Sequence, residues 1–299
     1  MDGILIWNEV ALEVQRRDFS PDSNGDVRPQ QPGPTRTSRA LAIVHLAMFD
    51  AFVPPGTTRY GSYSMANNAN SLGGRRAAMA TAAALTLIAQ FDRQREWILS
   101  KHQDYLASLA ASSAVVNNGV AWGRHVAETM LRSRESDGSE RPALLYATVP
   151  EPGQHRPDPQ NPGQGALDPH WGGVRPFGVP NLTTVIPANP PPLLSSADYA
   201  AHYNEVKAKG AATGSTRTPD ETAQGVFWAY DGATSLGVPP RLYNQAVQAI
   251  SKKLGSAVVS EEQNARLFAM VNVAMADAGI QAWHEKYLYN LWRPVVGIR

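Results

Sequence analysis

Two cations stand seven residues apart in KYLYNLWRP, Lys286 and Arg293, and Pro294 follows the arginine. On an α-helix, seven residues return to within about 20° of the starting direction and rise about 10 Å. The spacing predicts a lysine and an arginine converging from successive turns of one helix, with the helix ending near Trp292 because a proline displaces the residues before it from helical geometry. A guanidinium offers a fork of N–H donors and an ammonium a compact point charge, a pair suited to phosphate or a phosphate-like oxyanion. The same spacing also describes the solvated face of an amphipathic helix. Trp283, Tyr287, Tyr289 and Trp292 crowd around the two charges, which predicts that part of this surface is covered.

The elements that must carry this pair are helical. WNEVALEVQRR and TSRALAIVHLAMFDAFV repeat apolar residues at spacings of three and four, the second densely enough for a buried helix. GGRRAAMATAAALTLIAQFDRQREWILSKHQDYLASLA reads as one long helix or as two with a bend, and VVNNGVAWGRHVAETMLRSRESDG as another ending near Gly138. Further starts are marked by Ser195 with Asp198, by Thr218 with Pro219 and Glu221, by Pro240, and by Ser260 with Gln263; Gly210 and Gly255 mark stops. From Arg141 to Pro192 the periodicity vanishes, and thirteen of the 23 prolines fall there. That segment, 141–192, reads as an irregular arm within a single all-α domain covering 1–299, and its aromatic stretch DPHWGGVRPFGVP favours a packed arm over a free tether.

Composition narrows the function. With 43% hydrophobic and 18% charged residues the chain can bury a core, and a net charge of +1 argues against nucleic-acid or membrane-surface binding through a general basic field. The absence of cysteine removes thiolate metal sites and cysteine nucleophiles and leaves the compartment unknown. Neither a signal peptide nor a stretch of about 20 apolar residues is visible. No Gly-rich phosphate loop, GxSxG or HExxH is present.

Lys, six residues, Arg, Pro resembles the first signature of the superfamily that joins vanadium-dependent haloperoxidases with class A acid phosphatases. ADAGIQAWHEKY before it, and WNEVALE, GPTRTSRALAIVHLAMFDAF, WGGVRPF and FWAYDGATSLGVPPRLYNQ elsewhere, are similar to the bacterial and algal bromoperoxidase-like branch. The resemblance implies a helical bundle of that type and a bound vanadate, which phosphate can replace, with Lys286 and Arg293 as catalytic and oxyanion-binding residues and Trp283 lining the pocket. It also implies halide, hydrogen peroxide and a small organic molecule as reactants, oxidation of bromide as the reaction, and a homo-oligomer.

The superfamily's second signature, Pro-Ser-Gly-His, does not occur in these 299 residues, and none of the seven histidines lies in the context of its third, which has an arginine followed by the histidine bonded to vanadium. The chain therefore reads as the N-terminal portion of such an enzyme, its bundle incomplete at the C-terminus and inactive alone. The remaining part would be a second chain or a missing segment, through proteolysis, truncation or a natural split. Two alternatives stay open: an acid phosphatase using the same oxyanion pocket, and a non-catalytic helical subunit.

Other histidines read as structural. Asp168 and His170 in DPHW lack a third ligand at a metal-site spacing and read as a turn. His284 lies off the face of Lys286 and reads as a surface residue, and His45, in AIVHLAMFD, as a hydrogen-bonded core residue. Asp50 and Asp277 are potential carboxylate partners for Arg39 or Lys286.

Overall fold

The computed structural model describes residues 2–53, 71–142, 146–180 and 190–298. The described residues form α-helices α1 (Gly3–Asp18), α2 (Gly33–Phe52), α3 (Leu72–Gln90), α4 (Arg95–Ala107), α5 (Ser113–Arg134), α6 (Ala197–Gly210), α7 (Pro219–Trp228), α8 (Pro239–Leu254), α9 (Glu261–Tyr289) and α10 (Pro294–Ile298). Extended pairing among the described residues is limited to two isolated bridges, Gln154 with Leu291 and Ala233 with Gly237. The all-α class expected from the periodicity holds. No helix among the described residues is long and apolar enough to cross a membrane.

The chain divides into two compact units, one of Met1–Asp137 with Tyr230–Gly279 and one of Gly138–Ala229 with Ile280–Arg299. In the first, α2 is buried from Thr37 through Phe52, as its dense apolar sequence requires. Each large core side chain it contributes, Leu41, Ile43, Met48 and Phe52 among them, stabilises the fold by about 1.5–3 kcal/mol on removal from water. The alanine-rich α3 packs on α5 at backbone contact. A Cβ added at Gly119 would lie 2.4 Å from the Gly74 carbonyl oxygen, and one added at Gly123 only 2.1 Å from that of Ala78. Glycines four apart thus let two helices meet where any side chain would separate them. The long helical stretch in the sequence is two helices, α3 and α4, broken at Phe91 and joined by a 3-10 turn.

Polar pairs fix the register of this unit. Asn244 and Asn272 exchange amide hydrogen bonds of 2.8 and 2.9 Å, and Arg76 holds Glu261 at 2.7 Å. Arg39 finds its carboxylate in Asp137, at 2.8 Å, which also accepts from Arg134 Nε at 2.9 Å. His45, 1% exposed, is stacked on Phe268; its Nδ1 is 2.8 Å from the Leu41 carbonyl and its Nε2 3.0 Å from Asn8 Oδ1. Burial pushes its pKa down to about 4, the Leu41 contact acting in the opposite sense.

Start signals were largely legible. Thr218 and Glu221 form the capping box of α7, and Ser260 and Gln263 that of α9. The cap of α6 is Ser196, one residue after the expected Ser195, because Ser196 Oγ is the oxygen that accepts from Tyr199 N–H.

Candidate functional site

Lys286 lies in the last turn of α9, in the second unit, exposed, with Nζ 3.8 Å from the centre of the Trp283 ring. The geometry following it differs from the expectation of one continuous helix. α9 ends at Tyr289, and Asn290 turns into the left-handed region with φ of 50° while its N–H donates to the Lys286 carbonyl at 3.0 Å. Arg293 is therefore outside α9. Its carbonyl accepts the N–H of Val296 and of Gly297 and starts α10. A left-handed asparagine ended the helix before the effect of Pro294 was felt.

The proline-rich arm builds the walls around this turn. Residues 143–145 and 181–189 of that arm lie outside the described residues. The described part contains no α-helix, only a 3-10 turn at Trp171–Gly173. Trp171 and Val174 pack on Ile280 and Trp283 of α9. The approach is close: a Cβ on Gly172 would meet His284 Cα at 2.6 Å, so only glycine allows the arm to lie on the helix backbone there. Trp283 Nε1 and Tyr287 Oη both donate to the Leu167 carbonyl, at 2.9 and 2.7 Å.

Farther along, Gln154 bridges Leu291, His155 N–H donates to the Asn290 carbonyl at 2.7 Å, and Trp292 N–H donates to the Gly153 carbonyl at 2.9 Å. Trp292 is held on its other side by a 2.6 Å bond from Nε1 to Tyr199 Oη, and the Arg156 guanidinium lies 5.7 Å from its ring centre.

Three cations belong to this region: Lys286 in the last turn of α9, Arg293 four residues past its end, and Arg156 over the Trp292 ring; the His155 backbone is bonded to Asn290, between Lys286 and Arg293 in sequence. Burial depresses the His155 pKa, and the charge of Arg293 lowers it further. Tyr287 is pushed up to about 12, first by burial, with Arg293 acting in the opposite direction. Trp283 is a packing residue as well as the platform under Lys286.

The remaining histidines fall as follows. Asp168, with φ of 45° and a carbonyl that accepts from Trp171 N–H at 2.9 Å, makes a turn, and no cluster of three or more metal-ligating side chains occurs among the described residues. His170 Nε2 is 3.4 Å from the Ser139 carbonyl. Asn290, Tyr146 and His155 were missed by sequence reasoning. Asn in a Lys-x6-Arg-Pro segment is the one visible hint, since asparagine is the residue besides glycine that most readily turns left-handed.

The chain resembles known proteins in sequence and in fold. A family model described as the VCPO second helical-bundle domain matches residues 266–299, the stretch that contains Lys286 and Arg293. The vanadium chloroperoxidase of Curvularia inaequalis is 29% identical over 351 residues, covering 99% of this chain and 56% of that protein. The chain thus spans about half the length of that curated relative. A structure described as the first bacterial vanadium-dependent iodoperoxidase superposes with a TM-score of 0.72 at 19% identity, over 98% of this chain and 70% of that one. A holo-type bacterial vanadium-dependent chloroperoxidase does so with a TM-score of 0.67 at 16% identity, over 95% and 68%. The fold is that of the vanadium haloperoxidases. By sequence, too, the chain is similar to a vanadium chloroperoxidase along nearly all of its length.

Proposed function

We propose that the chain carries the cationic part of an oxyanion site that binds vanadate and serves peroxide-driven halide oxidation, with bromide as the halide. The observation that supports this most is that Lys286, in the last turn of α9, and Arg293, just beyond the end of that helix, both fall in the segment that matches the VCPO bundle, where the arm packs on α9. The donor set fits a tetrahedral oxyanion: a point-charge ammonium and a planar fork of N–H groups, both exposed. Bound vanadate would supply a Lewis-acidic centre that activates hydrogen peroxide toward halide.

The residues have separable roles. Lys286 neutralises oxyanion charge, and the Trp283 face beneath its ammonium narrows its range of positions. Arg293 would offer the oxyanion a planar fork of N–H donors. Both suit stabilisation of charge that develops on oxygen during reaction.

The test is peroxide-dependent bromination of a phenolic dye by the protein together with polypeptide carrying the second and third signatures, with and without orthovanadate. Bromination that requires vanadate and falls in Arg293→Met supports the reading. Bromination indifferent to vanadate would overturn it, and vanadate-inhibited hydrolysis of a phosphate ester in its place would transfer the same pocket to the acid phosphatase reading.

A further inference from the structure

We propose that Asn290 is the positioning residue of this site: its left-handed turn, clamped by the 146–155 arm, decides where Arg293 stands relative to Lys286. The inference rests on the reading of Lys286 and Arg293 as the oxyanion pair, and goes beyond it by naming what sets their geometry.

Three observations carry it. First, the two cations are not on one helix. Asn290, with φ of 50°, is the residue at which the chain leaves α9, and Arg293 follows three positions later. A left-handed conformation costs most side chains about 1–2 kcal/mol and is visited by asparagine far more readily.

Second, each polar group of Asn290 is engaged. Its N–H donates to the Lys286 carbonyl, its carbonyl accepts from His155 N–H, its Nδ2 donates to Gln154 Oε1 at 2.6 Å, and its Oδ1 accepts from Tyr146 Oη. Tyr146 in turn packs edge-on against Tyr287, with ring centres 4.8 Å apart, so the clamp closes back on α9. A side chain held at both ends of its amide fixes the direction in which the chain leaves the helix.

Third, the Arg293 guanidinium is exposed, and no hydrogen bond or ion pair holds it among the described residues. Its place is set by backbone: the bond from Trp292 N–H to Gly153, the Asn290 turn, and the start of α10. Lys286 is restrained by Trp283, Arg293 by the turn. Preorganised donors bind an anion more tightly than mobile ones because less freedom is lost on binding.

The experiment uses the 299-residue chain, with inorganic orthovanadate as probe followed by vanadium-51 NMR, and the His155 imidazole titrated by proton–carbon NMR. Asn290→Ala should weaken vanadate binding about tenfold and raise the His155 pKa, as Arg293 swings away from the ring. In an Arg293→Met background, Asn290→Ala should add no further shift to His155. Asn290→Gly, which keeps the turn and loses the clamp, should fall between wild type and Asn290→Ala. Tyr146→Phe tests the clamp alone and serves if Asn290→Ala does not fold.

Wild-type vanadate affinity and an unmoved His155 in Asn290→Ala, or in Tyr146→Phe if that variant replaces it, would overturn the inference. An absence of vanadate binding by the wild type, or no loss in Lys286→Met, would instead remove the oxyanion reading. The His155 titration would still decide whether Asn290 places Arg293.

Discussion

Lowering the pH from 7 to 4 should cost the first unit about 3 kcal/mol through a single side chain, His45. The ring is 1% exposed, faces Asn8 and the Leu41 carbonyl, and stacks on Phe268. Burial lowers its pKa from 6.5 to about 4. Each tenfold change in proton affinity is worth about 1.4 kcal/mol, so the difference amounts to about 3 kcal/mol. Because the folded value lies below the unfolded one, the unfolded chain takes up the proton first. The contribution is complete above pH about 6.5, falls away as the pH drops, and is fully lost below about 4. Urea unfolding of wild type and His45→Gln between pH 7.5 and about 3.5 isolates it, since carboxylates titrate alike in both and cancel in the difference. The account expects the wild type to lose about 3 kcal/mol more than the variant across that window. Parallel pH profiles would refute the burial argument.

Other expectations follow from the same packing. Gly123→Ala would place a methyl group 2.1 Å from the Ala78 carbonyl oxygen, so α3 and α5 must part; a loss of about 1–3 kcal/mol, read as a lower Tm, should outweigh the gain in helix propensity. Asp137→Asn would weaken the charge compensation of two buried arginines, whose side chains are 11% and 3% exposed, and should cost about 3–5 kcal/mol in denaturant unfolding. Gly172→Ala should separate the arm from α9 beneath His284 and appear as faster amide exchange at residues 168–174, with α1 to α5 unaffected.

Much of the helical frame was written locally. The boxes at Thr218 and Ser260 and the stop at Gly255 depend on neighbours within one turn, and such signals survive in a single sequence. His45 was likewise readable as a core histidine from the apolar residues on both sides of it. What could not be read is what depends on distant partners. Asn290 ends α9 in concert with Tyr146, Gln154 and His155, residues 135 to 144 positions earlier, and nothing in KYLYNLWRP announces them. The Asp137 partner of Arg39 is 98 residues away in sequence, and hydropathy does not encode it. Gly119 and Gly123 stand four residues apart in the sequence. Their role as a backbone contact appears only when α3 and α5 are set together.

Orthovanadate affinity of the chain, measured for wild type, Lys286→Met and Arg293→Met by vanadium-51 NMR at one ionic strength, tests the central claim most directly. A charge-assisted hydrogen bond is worth about 1.5–3 kcal/mol, so each substitution should weaken binding by about 10- to 100-fold while the folded state persists. Equal affinity in all three proteins would contradict the account.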